Sequence, residues 1–282
     1  MRAFAASLLL VVLRLASAAP TPAPLFGINL AVGKTAESKP VSVPQKDITT
    51  ALVRPVLFAR AVYCSSPAIK NGLNVKILVA GGDDKGVPNF FVAHDKDKNT
   101  IVVAHQGTEP KNFLSDLNDL NFIQAGKAVK MHDGFMDTQE RTSKLILSSS
   151  KKMLVVGHSL GAADASIDGM MLKMKLDRRI AVITTVFGLQ GIGRPRQQDS
   201  SVLGDSFTFV ANQDDPVPRV PPHNEIHITA VDKSGKTATS QLCPGQENEN
   251  CAGGNSILDA SVTNHRGPYF ANISMGNKFC PL

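Results

Sequence analysis

A chain of 282 residues, 43% hydrophobic and 19% charged, has the material for a large buried core and excludes disordered, collagen-like and disulfide-dense miniature classes. Its formal charge of +6 is spread along the chain, without a Lys/Arg block, interleaved aromatics or zinc-ligand spacing, which argues against a nucleic-acid module. Four Cys are too few for a Cys-built scaffold and suit two disulfides in an oxidising compartment.

In chain order, Met1-Arg2 precedes a mostly apolar run, Ala3 to Leu15, and Ala16-Ser17-Ala18 is a small-x-small cleavage signal. That layout predicts a secretory signal peptide over residues 1–18, although Arg14 inside the apolar run is unusual. The mature chain is then expected to be secreted and extracellular. Residues 19–46, rich in Pro, Ala and Lys, read as an N-terminal leader or arm, and residues 47–282 as one domain. Asp47 to Tyr63 reads as a helix with Pro55 as an awkward interruption. Lys76–Ala80 reads as a strand. Asn89–Ala93 and Thr100–Ala104 flank a polar turn, Asp95 to Asn99, and predict a hairpin. Lys152–Val156, Ile180–Phe187 and Phe207–Val210 are continuous apolar runs suited to strands buried on both faces. With the helical stretch Ala162–Lys175 between the first two, they predict an α/β fold with a mainly parallel sheet.

Leu154-Val155-Val156-Gly157-His158-Ser159-Leu160-Gly161 runs a buried strand into Gly-x-Ser-x-Gly and then a helix. The glycines suit a tight turn on which any Cβ two positions from the serine collides with a neighbouring element. The turn places Ser159 at a helix N-terminus, where the dipole favours a developing anion. In the following helix Leu160, Ala163, Ile167, Met171 and Met174 share one face, expected to be the buried one, with Asp164 and Asp168 opposite.

A serine becomes a nucleophile when a histidine removes its proton and a carboxylate holds the histidine's tautomer. Downstream of Ser159, Asp214 and Asp215 lie in a Pro-rich loop after Phe207–Val210, and either carboxylate fits. The histidines are His223, His227 and His265. His227 sits between Ile226 and Ile228 in a strand-like run and reads as structural, and order favours His265 over His223 only modestly. His94, His105 and His132 stand at separate loops or strand ends and do not read as metal ligands.

Taken together, these patterns resemble the fungal class 3 lipases, a family of secreted triacylglycerol lipases. The resemblance rests on Ala61 to Cys64, Val103 to Thr108, His132 to Phe135, the Gly-His-Ser-Leu-Gly turn, Asp215 to Pro218, His265 to Tyr269 and Phe279-Cys280. The His105-Gln106-Gly107-Thr108 form is similar to the basidiomycete branch. The resemblance implies an α/β-hydrolase fold with helices on both faces of the sheet, and hydrolysis of acylglycerol esters through an acyl-enzyme without metal or organic cofactor. It selects Ser159, Asp215 and His265 as catalytic, with Thr108 and the Leu160 N–H as the oxyanion hole. It pairs Cys64 with Cys280 and Cys243 with Cys251. It also implies a monomer that meets its substrate through transient peripheral contact with a lipid–water interface, and no nucleic-acid partner.

Phe113, Leu114, Leu117 and Leu120 recur near helical spacing and fit two readings equally, a packed core helix or the family's lid. Asn272-Ile273-Ser274 is an N-glycosylation acceptor in a secreted chain. Two stretches, 136–151 and 222–227, look shorter than in the family, and Asp164 stands where a small or apolar residue is usual. The rival readings are a feruloyl or general carboxylesterase and a catalytically silent, secreted lipase-like binding protein.

Overall fold

The computed structural model describes residues 39–64, 73–82, 88–108, 150–189, 202–218, 225–232, 238–244, 248–255 and 261–280. The predicted signal peptide, the Phe113–Leu120 segment, His132–Phe135 and His223 lie outside the described residues.

Period-two alternation in the central strands gives each of them two apolar faces. In β4 (Thr100–His105), Val102 and Ala104 enter one core while Ile101 and Val103 enter the other. In β5 (Lys152–His158), Val156 joins the first core and Met153 and Val155 the second. Strands buried on both sides need a helical layer on each face. Helix α2 (Val53–Ala61) supplies one with Val56, Phe58 and Ala59. Helix α3 (Leu160–Lys175) supplies the other with Ala162, Ala165 and Leu172.

These strands belong to a nine-stranded sheet with β1 (Val41–Ser42), β2 (Val75–Gly81), β3 (Phe90–Asp95), β6 (Ala181–Phe187), β7 (Phe207–Asn212), β8 (Glu225–Val231) and β9 (Ala238–Cys243). The order is β1-β9-β8-β7-β6-β5-β4-β3-β2. Pairing is parallel from β4 through β8 and antiparallel at both flanks. The predicted hairpin is β3–β4, and its turn places Asn99 at φ 45°. The fold is an α/β-hydrolase with a parallel centre and antiparallel wings.

Three local expectations need correction. The helix over Asp47–Tyr63 is two helices, α1 (Gln45–Ala51) and α2, joined at Leu52. Pro55 causes this, because it has no N–H for the carbonyl four residues back and its ring crowds that carbonyl, which belongs to Ala51. Inside the first turn of α2 the same proline is tolerated. Second, the sheet begins before residue 47, because Val41 and Ser42 pair with Leu242 and Gln241 of β9.

The third correction concerns α3, which is turned relative to its expected face. Met174 is 59% exposed, while Asp164 and Asp168 are both 5% exposed. The helix presents its small residues to the sheet, and Gly169 comes so close to β6 that a Cβ there would lie 2.0 Å from the Thr184 hydroxyl. Close approach across a small-residue face has overridden the bulkier Leu/Met stripe. The buried aspartates face a polar partner on β4, His105.

Two disulfides, Cys64–Cys280 and Cys243–Cys251, join the end of α2 to the C-terminal segment and close a short loop after β9. Glu225 lies within 4.8 Å of the latter sulfurs, but both are bonded to each other, which leaves no thiolate for a metal.

Candidate active site

The parallel strands β4 to β7 all end toward one edge, and the connections beyond that edge carry the polar residues. At the end of β5 the chain turns sharply into α3. Ser159 occupies this turn with φ 58° and ψ −124°, a conformation rarely adopted by a non-glycine residue. The turn is tight enough that a Cβ on Gly157 would stand 1.9 Å from the Gly161 carbonyl oxygen. The Ser159 N–H donates to the Phe187 carbonyl at 3.0 Å, which anchors the turn to β6. Beyond it, the first N–H groups of α3, Leu160's among them, have no intrahelical acceptor by the geometry of a helix start.

The end of β4 runs alongside this turn. A Cβ on Gly107 would lie 2.3 Å from the His158 carbonyl oxygen and 2.9 Å from the Ser159 Cβ, so only glycine lets the strand end pass. Thr108 follows at once, half-buried, beside Tyr63, His158, His265, Arg266, Met275 and Gly276 around a small open pocket.

His265 lies on α4 (Val262–Arg266), a single helical turn, and is 1% exposed. Its Nδ1 is 2.9 Å from one carboxylate oxygen of Asp215 and 3.0 Å from the other. Asp215 sits in the turn after β7, 2% exposed, and its Oδ1 also accepts the Val217 N–H at 2.9 Å. An imidazole with Nδ1 held by a carboxylate directs Nε2 away from it, the arrangement a general base requires. Asp214 has a backbone role, its carbonyl accepting the N–H of Ser261 at 2.9 Å beside α4. His227 in β8 is buried with Nδ1 3.3 Å from Glu225, in keeping with a structural histidine.

Several positioning groups carried no clear signal in the sequence. Asn212, at the end of β7, donates from Nδ2 to the Asn264 carbonyl at 2.8 Å and so ties α4 to the sheet edge. Tyr269 donates its hydroxyl to the His265 carbonyl at 2.9 Å. The same carbonyl lies 2.8 Å from His158 Nε2 and can only accept, so His158 carries its proton there. Tyr63 Oη stands 2.7 Å from His158 Nδ1. Burial, and then the neighbouring His265, hold the His158 pKa well below its usual value, so the ring is neutral with a bare Nδ1. Tyr63 therefore donates to His158, and its oxygen accepts the Gly107 N–H at 3.0 Å. The chain contains two tyrosines, and both are buried at this site. Burial and the nearby Asp215 raise the Tyr269 pKa well above that of an ordinary phenol, so it remains a donor.

A buried strand entering a Gly-x-Ser-x-Gly turn, with a His–carboxylate pair held beyond the same sheet edge, defines an α/β-hydrolase of the serine ester hydrolase class. A family model described as lipase (class 3) matches residues 102–225. The secreted mono- and diacylglycerol lipase LIP1 of Malassezia globosa is 27% identical over 246 residues, covering 77% of this chain and 78% of that protein. The crystal structure of Lip2 lipase from Yarrowia lipolytica superposes with a TM-score of 0.69 at 16% identity, covering 86% of this chain and 98% of that one. The triacylglyceride lipase of Rhizomucor miehei gives 0.67 at 19% identity, with 84% and 98% coverage. The matched residues take in most of β4, the serine turn and the loop that carries Asp215.

Proposed function

We propose that this protein is a secreted acylglycerol hydrolase working by acyl transfer through Ser159. The buried His265–Asp215 contact at the sheet edge that carries the Ser159 turn is the observation on which the reading rests. Ser159 Oγ attacks the ester carbonyl and His265 Nε2 takes its proton, while Asp215 keeps Nδ1 protonated and balances the imidazolium. Thr108 and the Leu160 N–H stabilise the oxyanion. The imidazolium then protonates the leaving alcohol. Water, deprotonated by His265, attacks the acyl-enzyme and releases the fatty acid.

Secretion is supported by the signal-like residues 1–18 and by two disulfides of the kind kept in oxidising compartments. Residues from β1 onward act as one hydrolase domain. The enzyme is a monomer that meets its substrate at a lipid–water interface, and Asn272, exposed, is an N-glycan acceptor. Names of the related proteins favour mono-, di- and triacylglycerols as substrates.

Purified protein is tested by fluorophosphonate labelling and by turnover of monoolein, tributyrin, triolein and methyl ferulate. The expected result is stoichiometric labelling that Ser159→Ala abolishes, with glycerides favoured over the ferulate and rates rising once substrate forms an emulsion. Labelling of folded Ser159→Ala at the wild-type level, or none of the wild type, overturns the reading. A preference for methyl ferulate moves the substrate class to feruloyl esters.

A further inference from the structure

His105 is the last residue of β4 and continues the alternation of Ile101 and Val103 toward the α3 side of the sheet. Where those two meet apolar neighbours, His105 meets a carboxylate: its Nε2 lies 2.9 Å from Oδ2 of Asp168, two turns into α3, and both side chains are almost fully buried. Asp164 stands one turn earlier on the same helix, also buried. Burial opposes a charge on His105, but Asp168 and then Asp164 outweigh it and raise its pKa, which favours the imidazolium. Proton transfer among Ser159, His265 and Asp215 does not call on these three residues.

Their place in the fold supplies one. β4 leads, two residues beyond its end, to Gly107 and Thr108; α3 begins at Leu160. These are the two halves of the oxyanion hole, and they sit on separate elements with no covalent reason to keep a fixed spacing. The elements already meet at their tips, where a Cβ on Gly161 would stand 2.4 Å from the His105 carbonyl oxygen. A contact at one point leaves a rotation free; a second contact, two turns along the helix, removes it. We propose that the buried His105–Asp168 pair is a positioning device that fastens β4 to α3 and so sets the separation of the Thr108 and Leu160 donors. The proposal rests on the serine hydrolase reading above. It makes His105 and Asp168 positioning residues, acting on the transition state only through the donors they align.

Oxyanion donors act on charge that develops in the transition state, so loosening them lowers kcat and spares KM. The test uses the full-length protein, with active sites counted by fluorophosphonate and kinetics measured on p-nitrophenyl butyrate and its thionoester, whose sulfur accepts hydrogen bonds poorly. His105→Leu is expected to lower kcat per titrated serine by about tenfold or more with KM within about twofold, and to narrow the ester-to-thionoester rate ratio. His105→Gln, which still aims an N–H at Asp168, recovers most of the loss. Asp168→Asn, which changes no volume, gives the same loss if His105→Leu fails to fold. Variants that label fully and keep kcat and the rate ratio within twofold of wild type, whatever their melting temperature, overturn the proposal. A wild-type protein that neither labels nor turns over substrate overturns the hydrolase reading instead.

Discussion

The hydroxyl of Tyr63 donates to Nδ1 of His158 across 2.7 Å and accepts the Gly107 N–H at 3.0 Å, so one oxygen links the residue before Ser159 to the residue before Thr108. Tyr63→Phe removes both bonds while keeping the ring. It leaves a buried imidazole nitrogen and a buried backbone N–H unsatisfied, each costing about 1–3 kcal/mol. The expected outcome is a lowered melting temperature together with a kcat reduced about tenfold, because Gly107 is freed beside Thr108 and the Ser159 turn. Calorimetry and turnover per titrated site check this; unchanged values in both would show that water replaces the hydroxyl.

Ser159 is held at a positive φ that glycine adopts without strain. Ser159→Gly is therefore expected to abolish esterase activity and to raise stability by about 1 kcal/mol, a gain of a few degrees for a domain of this size. Ser159→Ala, equally inactive, keeps the strain and is not expected to share the gain. Melting curves of the pair separate strain at the turn from loss of the hydroxyl.

Asp164 has its pKa raised from 3.8 to about 6, chiefly by burial, which His105 partly offsets and Asp168 reinforces. The folded state thus binds this proton more tightly than the unfolded state. Its contribution to stability is full below pH 4 and is lost as pH rises from about 4 to about 6. Above pH 6 the ionised side chain costs about 3 kcal/mol, from the displacement of its pKa. Asp164→Asn is expected to be more stable than wild type at pH 7.5, with the difference shrinking toward pH 4. Urea denaturation at a series of pH values measures it, and a constant difference across that range contradicts the assignment.

The Cys64–Cys280 bridge spans 216 positions of sequence and anchors the residue next to Tyr63 to the segment beyond α4. Closing so long a loop removes unfolded-state entropy worth about 5 kcal/mol in the chain-entropy model. Replacing both cysteines by serine is expected to lower the urea midpoint markedly, whereas the same change at Cys243 and Cys251, eight residues apart, has a smaller effect.

The strands and the serine turn were legible because they depend on short-range rules. Continuous apolar runs such as Met153–Val156 need burial on both faces wherever they are placed, and Gly157 and Gly161 are required by a turn whose atoms all lie within a few residues. The inward face of α3 was misread because periodicity weighs side-chain hydrophobicity, whereas the packed helix is selected by how closely its backbone can approach β6 at Gly169. His105, on a different element, then decides that Asp164 and Asp168 turn inward.

The same division runs through the site. By itself the sequence determined a parallel α/β core, a strained serine at a helix start, and a set of acids and histidines downstream, since each follows from local sterics and spacing. Only the tertiary structure set His265 against Asp215, gave Asp214 and His227 other partners, and closed the Tyr63–His158–Gly107 chain of hydrogen bonds. Those contacts join residues up to 95 positions apart, and hydrogen bonds between distant buried groups leave no periodic trace in a chain. They exist because the sheet brings the ends of β4, β5 and β7 to one edge, where each polar group must find a partner out of water.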